Sequence, residues 1–299
     1  MNNKGFNVSE LTPVQLERMQ EVYVCPSFAC NLNCSHCFLK NLPINTEWDT
    51  LFSSIEYLNN NAGPHLVFDL FGGEPLILDK NRFSEIMSLF KGREYIISSN
   101  LINYSEFYLS YLKDASLVDT SWNPSRFSVE QYNNWRNTVS FLTSNGVRVA
   151  IMITLTKDLI SQEESPGLIT KMLGELKASS ADFDYLIGKG YPEPEVVDNY
   201  LNAIFDKFKE NCPDCIFTKV QKMRTAVKEG RKFKDCSNFY TLLPTGKIKR
   251  GCAYCENLKV REECKYCEYY DICNGSCPLT EACSFPKKLF ERIRNEEAC

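Results

Sequence analysis

The chain has 299 residues, 43% of them hydrophobic, and a formal net charge of −4. That length suits one large domain, or one domain with a smaller module, and the weak negative charge gives no reason to expect nucleic acid or an anionic membrane as partner. No apolar run reaches the roughly 20 residues a membrane helix needs, and the opening MNNKGFNVSE lacks the apolar centre of a signal peptide, so a reducing, cytoplasmic setting is expected.

In chain order, Thr12 and Pro13 are predicted to cap and start a short helix through Met19. A first strand over 21–24 leads into a cysteine loop, and a helix from Thr46 and Asp49 runs through Leu58. HLVFDLF, residues 65–71, is a dense apolar strand that Gly72, Gly73, Glu74 and Pro75 end sharply. Then come a helix over 81–90, a strand over 94–98 ending in Ser98, Ser99 and Asn100, and a helix over 104–113. A strand over 117–121 is stopped by Trp122, Asn123 and Pro124, and a helix over 129–143 has Gly146 beyond it. The β-branched stretch 147–155 is a strand, 163–177 a helix, 183–187 a sixth strand, and 196–210 a helix. The strands are too apolar to face water on one side, which argues an α/β domain of parallel strands, closed or partly closed as a barrel. The polar and glycine-rich turns follow the strands, and in barrels that face carries the active site.

The cysteines depart from an ordinary composition. There are 15, an odd number, and disulfides are not expected in a reducing setting. Cys25, Cys30, Cys34 and Cys37 fall within the first forty residues, Cys212 and Cys215 come next, and the rest follow from Cys236 onward. This predicts one cluster site near the N-terminus and a separate cysteine-rich module, in which metal clusters supply much of the folding energy and 285–295 forms a last helix. The expected organisation is a helical extension over 1–20, a barrel over 21–215, a basic helical linker over 216–235 and the module over 236–299. Cys30, Cys34 and Cys37 supply the soft thiolates that iron–sulfur clusters take. Three thiolates hold three corners of a four-iron cube and leave one corner open. The competing reading is a structural zinc or four-cysteine site with Cys25 as fourth ligand. Cys25 also suits a small buried residue at a strand end.

Cys30-x3-Cys34-x2-Cys37 after a first strand, with Gly-Gly-Glu-Pro after the second, resembles the radical S-adenosylmethionine (radical SAM) superfamily. Cys264-x2-Cys267-x5-Cys273-x3-Cys277 resembles the central spacing of the SPASM extension of that family. Cys236, Gly246 and Cys252 resemble its leading part, with five residues between the glycine and the cysteine where four are usual. The resemblance covers nearly the whole chain. It implies a partial (β/α)6, TIM-like barrel with a C-terminal iron–sulfur module. It implies a [4Fe–4S] cluster on Cys30, Cys34 and Cys37 whose open iron takes the methionyl group of S-adenosylmethionine, and a 5′-deoxyadenosyl radical that takes a hydrogen atom from substrate.

The same resemblance sets the expected site. His36 lies against the adenine. Gly72, Gly73, Glu74 and Pro75 form the turn that meets the methionyl amino group, with Glu74 supporting the geometry. Ser99, Asn100, Ser121 and Asn123 match polar positions that contact the ribose or carboxylate, and Thr154 is a further candidate. The match departs from the family where Leu101 replaces a glycine, Asn123 an aspartate and Pro124 a glycine. Two auxiliary [4Fe–4S] clusters are expected, giving three in all. Cys236, Cys252, Cys255 and Cys277 hold one; Cys264, Cys267, Cys273 and a trailing cysteine hold the other. Cys283 is preferred to Cys299 as that last ligand because termini fray.

Auxiliary clusters accept electrons, which favours a net two-electron oxidation. The expected activity is oxidative modification of a ribosomally made peptide, such as carbon–carbon or thioether bond formation. A flavodoxin- or ferredoxin-like protein is the expected reductant. No surplus segment for leader recognition is seen before the barrel, which leaves a separate recognition protein, recognition by the barrel mouth, or a small-molecule substrate as the expectations. Some sulfatase-maturing members of the family carry an aspartate where this chain has Ala253, which speaks against that reaction. A small-molecule dehydrogenase of the aminosugar-alcohol type and a noncatalytic electron-transfer protein are the competing readings. Cys212-Pro213-Asp214-Cys215 lies outside the family pattern. The basic stretch from Lys219 to Lys234 is either a solvated face or a docking surface for an acidic partner.

Overall fold

Strand and helix alternate through the computed structural model, which describes residues 5–35, 37, 39, 42, 45–185, 192–230, 232, 238–251, 262–274 and 283–298. The strands are β1 (Glu21–Val24), β2 (Val67–Leu70), β3 (Glu94–Ser98), β4 (Leu117–Trp122), β5 (Val149–Leu155), β6 (Ser180–Tyr185), β7 (Ile216–Phe217), β8 (Phe239–Leu242) and β9 (Ile248–Arg250). The helices are α1 (Pro13–Arg18), α2 (Trp48–Asn61), α3 (Lys80–Leu89), α4 (Leu109–Asp114), α5 (Val129–Ser144), α6 (Lys157–Ile160), α7 (Ser165–Glu175), α8 (Pro194–Asn211), α9 (Thr218–Glu229), α10 (Tyr270–Cys273) and α11 (Lys287–Glu297).

The first six strands pair in sequence order, all parallel. The sheet is longer than the six strands expected. It has 9 strands in the order β7-β6-β5-β4-β3-β2-β1-β8-β9. β8 runs parallel to β1, and β9 turns back antiparallel on β8. Among the described residues β7 and β9 do not pair, so the mixed sheet is not closed there.

Side-chain alternation explains the layers. In β5, Val149, Ile151, Ile153 and Leu155 are buried toward the helices, while Ala150, Met152 and Thr154 are half-buried and face the barrel interior. The outer layer holds Phe68, Phe83, Phe90 and Trp135, all fully buried. Trp135 Nε1 donates to Thr120 Oγ1 at 3.0 Å, which fixes α5 on β4 without an orphaned indole. Arg93 closes the end of α2 by donating to Asn59 Oδ1 at 2.9 Å and to the carbonyls of Ala62 and Gly63 at 2.9 and 2.5 Å.

Two elements differ from the sequence expectation for physical reasons. β6 starts three residues early, at Ser180 rather than Phe183, because Asp182 and Asp184 alternate with the buried Ala181 and Phe183 and break the apolar run. The segment from Cys236 onward is expected from the sequence to take much of its folding energy from metal clusters. Instead Tyr240, Leu242 and Ile248 are buried, because β8 and β9 extend the barrel sheet. A short strand that pairs with residues more than 200 positions away leaves no local periodicity.

Of the described cations in the basic stretch, Lys219 is buried, Arg224 is half-buried, and Lys222, Lys228 and Lys232 are exposed. The Lys219 ammonium lies 3.4 Å from Asp182. Arg224 and Lys228 reach Glu297 at 3.1 and 2.8 Å, tying α9 to α11. α11 buries Leu289, Phe290 and Ile293 completely. Its first turn is capped from α8, where the Asp198 carboxylate accepts from the backbone N–H groups of Lys288 and Leu289 at 2.6 and 3.0 Å. The surrounding ion pairs are exposed and each contributes little, so Asp198 carries the polar part of the docking. Replacing it, Asp198→Ala, leaves two helix N–H groups unmet and is expected to cost about 1–2 kcal/mol. A urea midpoint unchanged from wild type overturns this role.

Candidate active site

The cysteine loop lies at the C-terminal end of β1, clamped backbone to backbone by the turn after β2. Gly73 N–H donates to Ser27 C=O and Glu74 N–H to Ala29 C=O, both at 2.9 Å. A Cβ on Gly73 would stand 1.9 Å from the Ala29 oxygen, and one on Gly72, at φ +140°, would stand 2.5 Å from the Ser27 oxygen. The glycines are therefore required by close approach. Cys30 is exposed, Cys34 and Cys37 are half-buried, and Cys37 N–H donates to Cys34 C=O at 3.2 Å. Cys25 is fully buried beside Phe28, Leu39 and Leu243, and burial pushes its thiol up, with Asp69 adding to the effect. It is a poor source of thiolate.

Glu74 joins this turn to the next one. Its buried carboxylate accepts from Leu76 N–H at 2.9 Å, Ser99 Oγ at 2.7 Å and Asn100 N–H at 2.6 Å. Burial pushes Glu74 up, and these three hydrogen bonds pull it back. Asn100 Nδ2 donates to Asn31 Oδ1 at 2.7 Å, and Asn31 Nδ2 donates to Asn103 Oδ1 at 3.0 Å. The β3 turn is thus strapped to the cysteine loop. Leu101, at the family's glycine position, is fully buried with φ 59°. That conformation is the reason a glycine is usual there, and burial of the leucine offsets a strain of about 1 kcal/mol.

Beyond β4, Asn123 is spent on the loop itself. Its Nδ2 donates to Thr154 C=O at 2.9 Å, and its Oδ1 accepts from Ser125 N–H and Oγ at 2.9 and 2.6 Å. Ser121 Oγ accepts from Arg126 Nη1. Arg126 was not singled out from the sequence. Its charge acts on Cys30, Glu74 and Asp119 together, and its Nε–H is buried with no hydrogen-bond partner. Thr154 sits in the interior layer, in register with Asp184. His36 lies outside the described residues.

In the C-terminal module, Cys264, Cys267, Cys273 and Cys283 line one cleft with Tyr269, Tyr270, Phe285 and Lys287. Cys236, Cys252, Cys255, Cys277 and Cys299 lie outside the described residues. Cys212 and Cys215 are buried in the core at the turn between α8 and β7.

No family model matches the chain. It is 30% identical over 241 residues to a cysteine-type anaerobic sulfatase-maturating enzyme of Clostridium perfringens (strain ATCC 13124), a stretch covering 72% of this chain and 57% of that one. The counterpart from strain 13 is 24% identical over 243 residues, 72% of this chain and 58% of the other. The chain thus spans less than three fifths of the length of the curated relatives it matches. Among solved structures, anSMEcpe with bound AdoMet and Cp18Cys peptide superposes with a TM-score of 0.75 at 17% identity, over 93% of this chain and 98% of that one. Streptococcus suis SuiB superposes with a TM-score of 0.61 at 14% identity, over 89% and 76%. The chain has the radical SAM fold. The resemblance drawn from the cysteine spacing and the Gly-Gly-Glu-Pro turn is borne out.

The inner face of the sheet carries acidic residues that were not anticipated. Strand register places Ser98 beside Asp119, Asp119 beside Ala150, Met152 beside Asp182 and Thr154 beside Asp184. Asp69, one strand away, accepts from Ser98 Oγ at 2.9 Å. Burial pushes Asp69 well up, with Glu21 and Asp119 adding to it. Asp119 is pushed up to about 7 by burial, then by Asp184, Asp182 and Glu21, with Arg126 opposing. Glu21 is also raised by burial, with Lys222 opposing. The signal was present as polar residues at alternate strand positions, hidden by the apolar residues between them.

A raised folded-state pKa means that Asp119 costs nothing at low pH, where it is protonated in both states, and destabilises the fold as pH rises toward and through about 7. Asp119→Asn is therefore expected to stabilise the protein by about 1–3 kcal/mol at pH 8 relative to wild type, and by much less near pH 4. Urea midpoints of both proteins at the two pH values check it; an equal difference at both rejects it.

Proposed function

We propose that the protein is a radical SAM enzyme that oxidatively modifies a ribosomally made peptide. The observation that carries this reading is the clamp of the Gly-Gly-Glu-Pro turn on the Cys30–Cys34–Cys37 loop, with Arg126 directed at the same mouth. The comparisons support the peptide part. One similar structure is described with bound AdoMet and a Cp18Cys peptide, and SuiB is described bound to a precursor peptide.

The donor set fits iron–sulfur chemistry. Three thiols on one loop are the soft ligands a four-iron cluster takes, and Cys25 is withdrawn from them. Cys264, Cys267, Cys273 and Cys283 suit a second cluster, with Cys283 as trailing ligand. Among the described residues no group of three such side chains converges on the position of one ion. A further auxiliary cluster on Cys236, Cys252, Cys255 and Cys277 completes the proposed set of three.

Cys30, Cys34 and Cys37 would hold a cluster that, when bound, would supply one-electron reduction of S-adenosylmethionine. This chain's residues bind and orient the cofactor. Arg126 offers its unmet Nε–H to the methionyl carboxylate, where an orphaned buried donor gains a charged acceptor. The side-chain-free turn at Gly72 and Gly73 brings backbone within reach of the methionyl amino group. Glu74 holds that turn and the Ser99–Asn100 turn at fixed separation. His36 is assigned to the adenine and Ser121 and Thr154 to the ribose side of the mouth, while Asn123 holds the loop beside them.

The proposed peptide reaction differs from sulfatase maturation, because Ala253 stands where those relatives place an aspartate. Carbon–carbon or thioether bond formation needs the same removal of two electrons. A flavodoxin- or ferredoxin-like reductant is the partner proposed with this reading.

Anaerobic reconstitution tests it. About twelve irons per chain correspond to three cubes, and reduced protein should form 5′-deoxyadenosine, with formation abolished in Cys34→Ala. Robust iron loading with no cleavage, even with candidate peptides, defeats the proposal. Arg126→Ala should keep wild-type iron content yet weaken S-adenosylmethionine binding by about 10- to 100-fold, the worth of a charged hydrogen bond. Unchanged affinity removes Arg126 from the cofactor site.

A further inference from the structure

Asn100 lies in the turn after β3 and is 2% exposed. Its side chain is spent on the cysteine loop. Oδ1 accepts from Ile102 N–H at 3.0 Å, which fixes the end of the amide that stays with its own turn. Nδ2 therefore faces the loop. It donates to Asn31 Oδ1 at 2.7 Å and lies 3.8 Å from Cys30 Sγ, within range of an N–H···S hydrogen bond. An amide nitrogen carries two N–H groups, so one serves each contact. The backbone of Asn100 is held as firmly, because its N–H donates to the buried Glu74 carboxylate at 2.6 Å.

Cys30 has a second donor: Leu32 N–H lies 3.4 Å from the same sulfur. The thiol itself donates to Asn31 Oδ1 at 3.8 Å. This thiol stands for the thiolate that would ligate iron. A thiolate has no S–H to give, and Asn100 and Leu32 then remain as its donors. N–H groups aimed at a ligating sulfur draw charge from it and favour the more negative, reduced state of the cluster it holds. A buried donor that cannot turn away does this most effectively. Asn100 meets that condition through Glu74, Ile102 and Asn31. Asn103, by contrast, is exposed and accepts from Asn31 Nδ2 at 3.0 Å, so it steadies the loop without supplying that donor.

We infer that Asn100 is a positioning residue that acts through Cys30, holding an N–H on its sulfur and so raising the reduction potential of the N-terminal cluster. This rests on the reading above that Cys30, Cys34 and Cys37 hold that cluster, and it gives the turn after β3 a role other than contact with S-adenosylmethionine. A higher potential makes the cluster easier for a one-electron carrier to reduce. Glu74 belongs to the same chain of bonds: it sets the position of Asn100, and Asn100 sets the charge on the sulfur.

The test is an anaerobic redox titration of the reconstituted protein, followed by electron paramagnetic resonance of its reduced clusters. The same titration of Cys34→Ala, which lacks a ligand of the N-terminal cluster, gives the signal of the remaining clusters for subtraction. Asn100→Leu should make the N-terminal cluster about tenfold harder to reduce, the worth of a hydrogen bond to a charged group, or a fall of about 59 mV for one electron. Asn103→Ala loosens the same loop and removes no donor from Cys30, so its potential should equal that of wild type. If Asn100→Leu takes up no N-terminal cluster, Asn100→Ala, which adds no bulk, replaces it with the same expected fall. An unmoved potential in the Asn100 variant, or an equal fall in Asn103→Ala, overturns the inference. Loss of the cluster from both Asn100 variants assigns the residue to loop structure and also overturns it. A lowered potential in Asn100→Leu, where wild type forms no 5′-deoxyadenosine in any assay, leaves this role standing and removes the radical SAM reading instead.

Discussion

The buried carboxylate of Glu74 is the contact on which the mouth of this barrel depends. It accepts hydrogen bonds from the turn after β2 and from the turn after β3. Those turns would otherwise be independent loops on neighbouring strands. The cysteine loop hangs on the first through two backbone hydrogen bonds and on the second through Asn100 and Asn31. Removing the carboxylate leaves buried donors unmet on both turns, which is worse than never having made the bonds. Gly73 makes the arrangement sterically possible, because no other residue lets two backbones approach so closely.

A second constraint runs from the barrel to the C-terminal module. β8 adds to the free side of β1, so the strand that launches the cysteine loop is held on both edges. α11 then docks on α8 and α9, through its buried apolar face and the Asp198 cap. The cleft of Cys264, Cys267, Cys273 and Cys283 sits just before α11 in the chain. Its position relative to the barrel is therefore set by packing, and cluster ligation is not the only force holding the module in place. The charges of the supposed linker serve this docking: Lys219 turns into the barrel, and Arg224 and Lys228 turn toward α11.

The interior shows the opposite economy. Most buried groups in the fold are matched, yet the barrel wall keeps carboxylates that repel one another. Where local consistency fails in an otherwise consistent fold, function is the usual reason. Arg126 belongs to the same logic. It is a cation at the mouth, with one N–H unmet, and its charge acts on the thiol of Cys30 and on Asp119.

The sequence by itself determined the strand–helix order, because apolar periodicity and glycine or proline punctuation are local signals. β1 and β3 fall on their predicted bounds, and the turns at Gly72–Pro75 and Ser98–Asn100 fall where strands end. It also determined the cysteine spacing, and through it the fold family. What only the tertiary structure decided are relations between distant residues. Asp119 and Asp184 are 65 positions apart in number, and no periodicity joins them until parallel pairing stacks their strands. Arg126 reads as an ordinary loop cation until its Nε is seen buried at the mouth. β8 is too short to announce itself, and it exists because β1 offers an unpaired edge. Local physics is written in neighbouring residues; register, enclosure and charge balance arise only when the chain closes on itself.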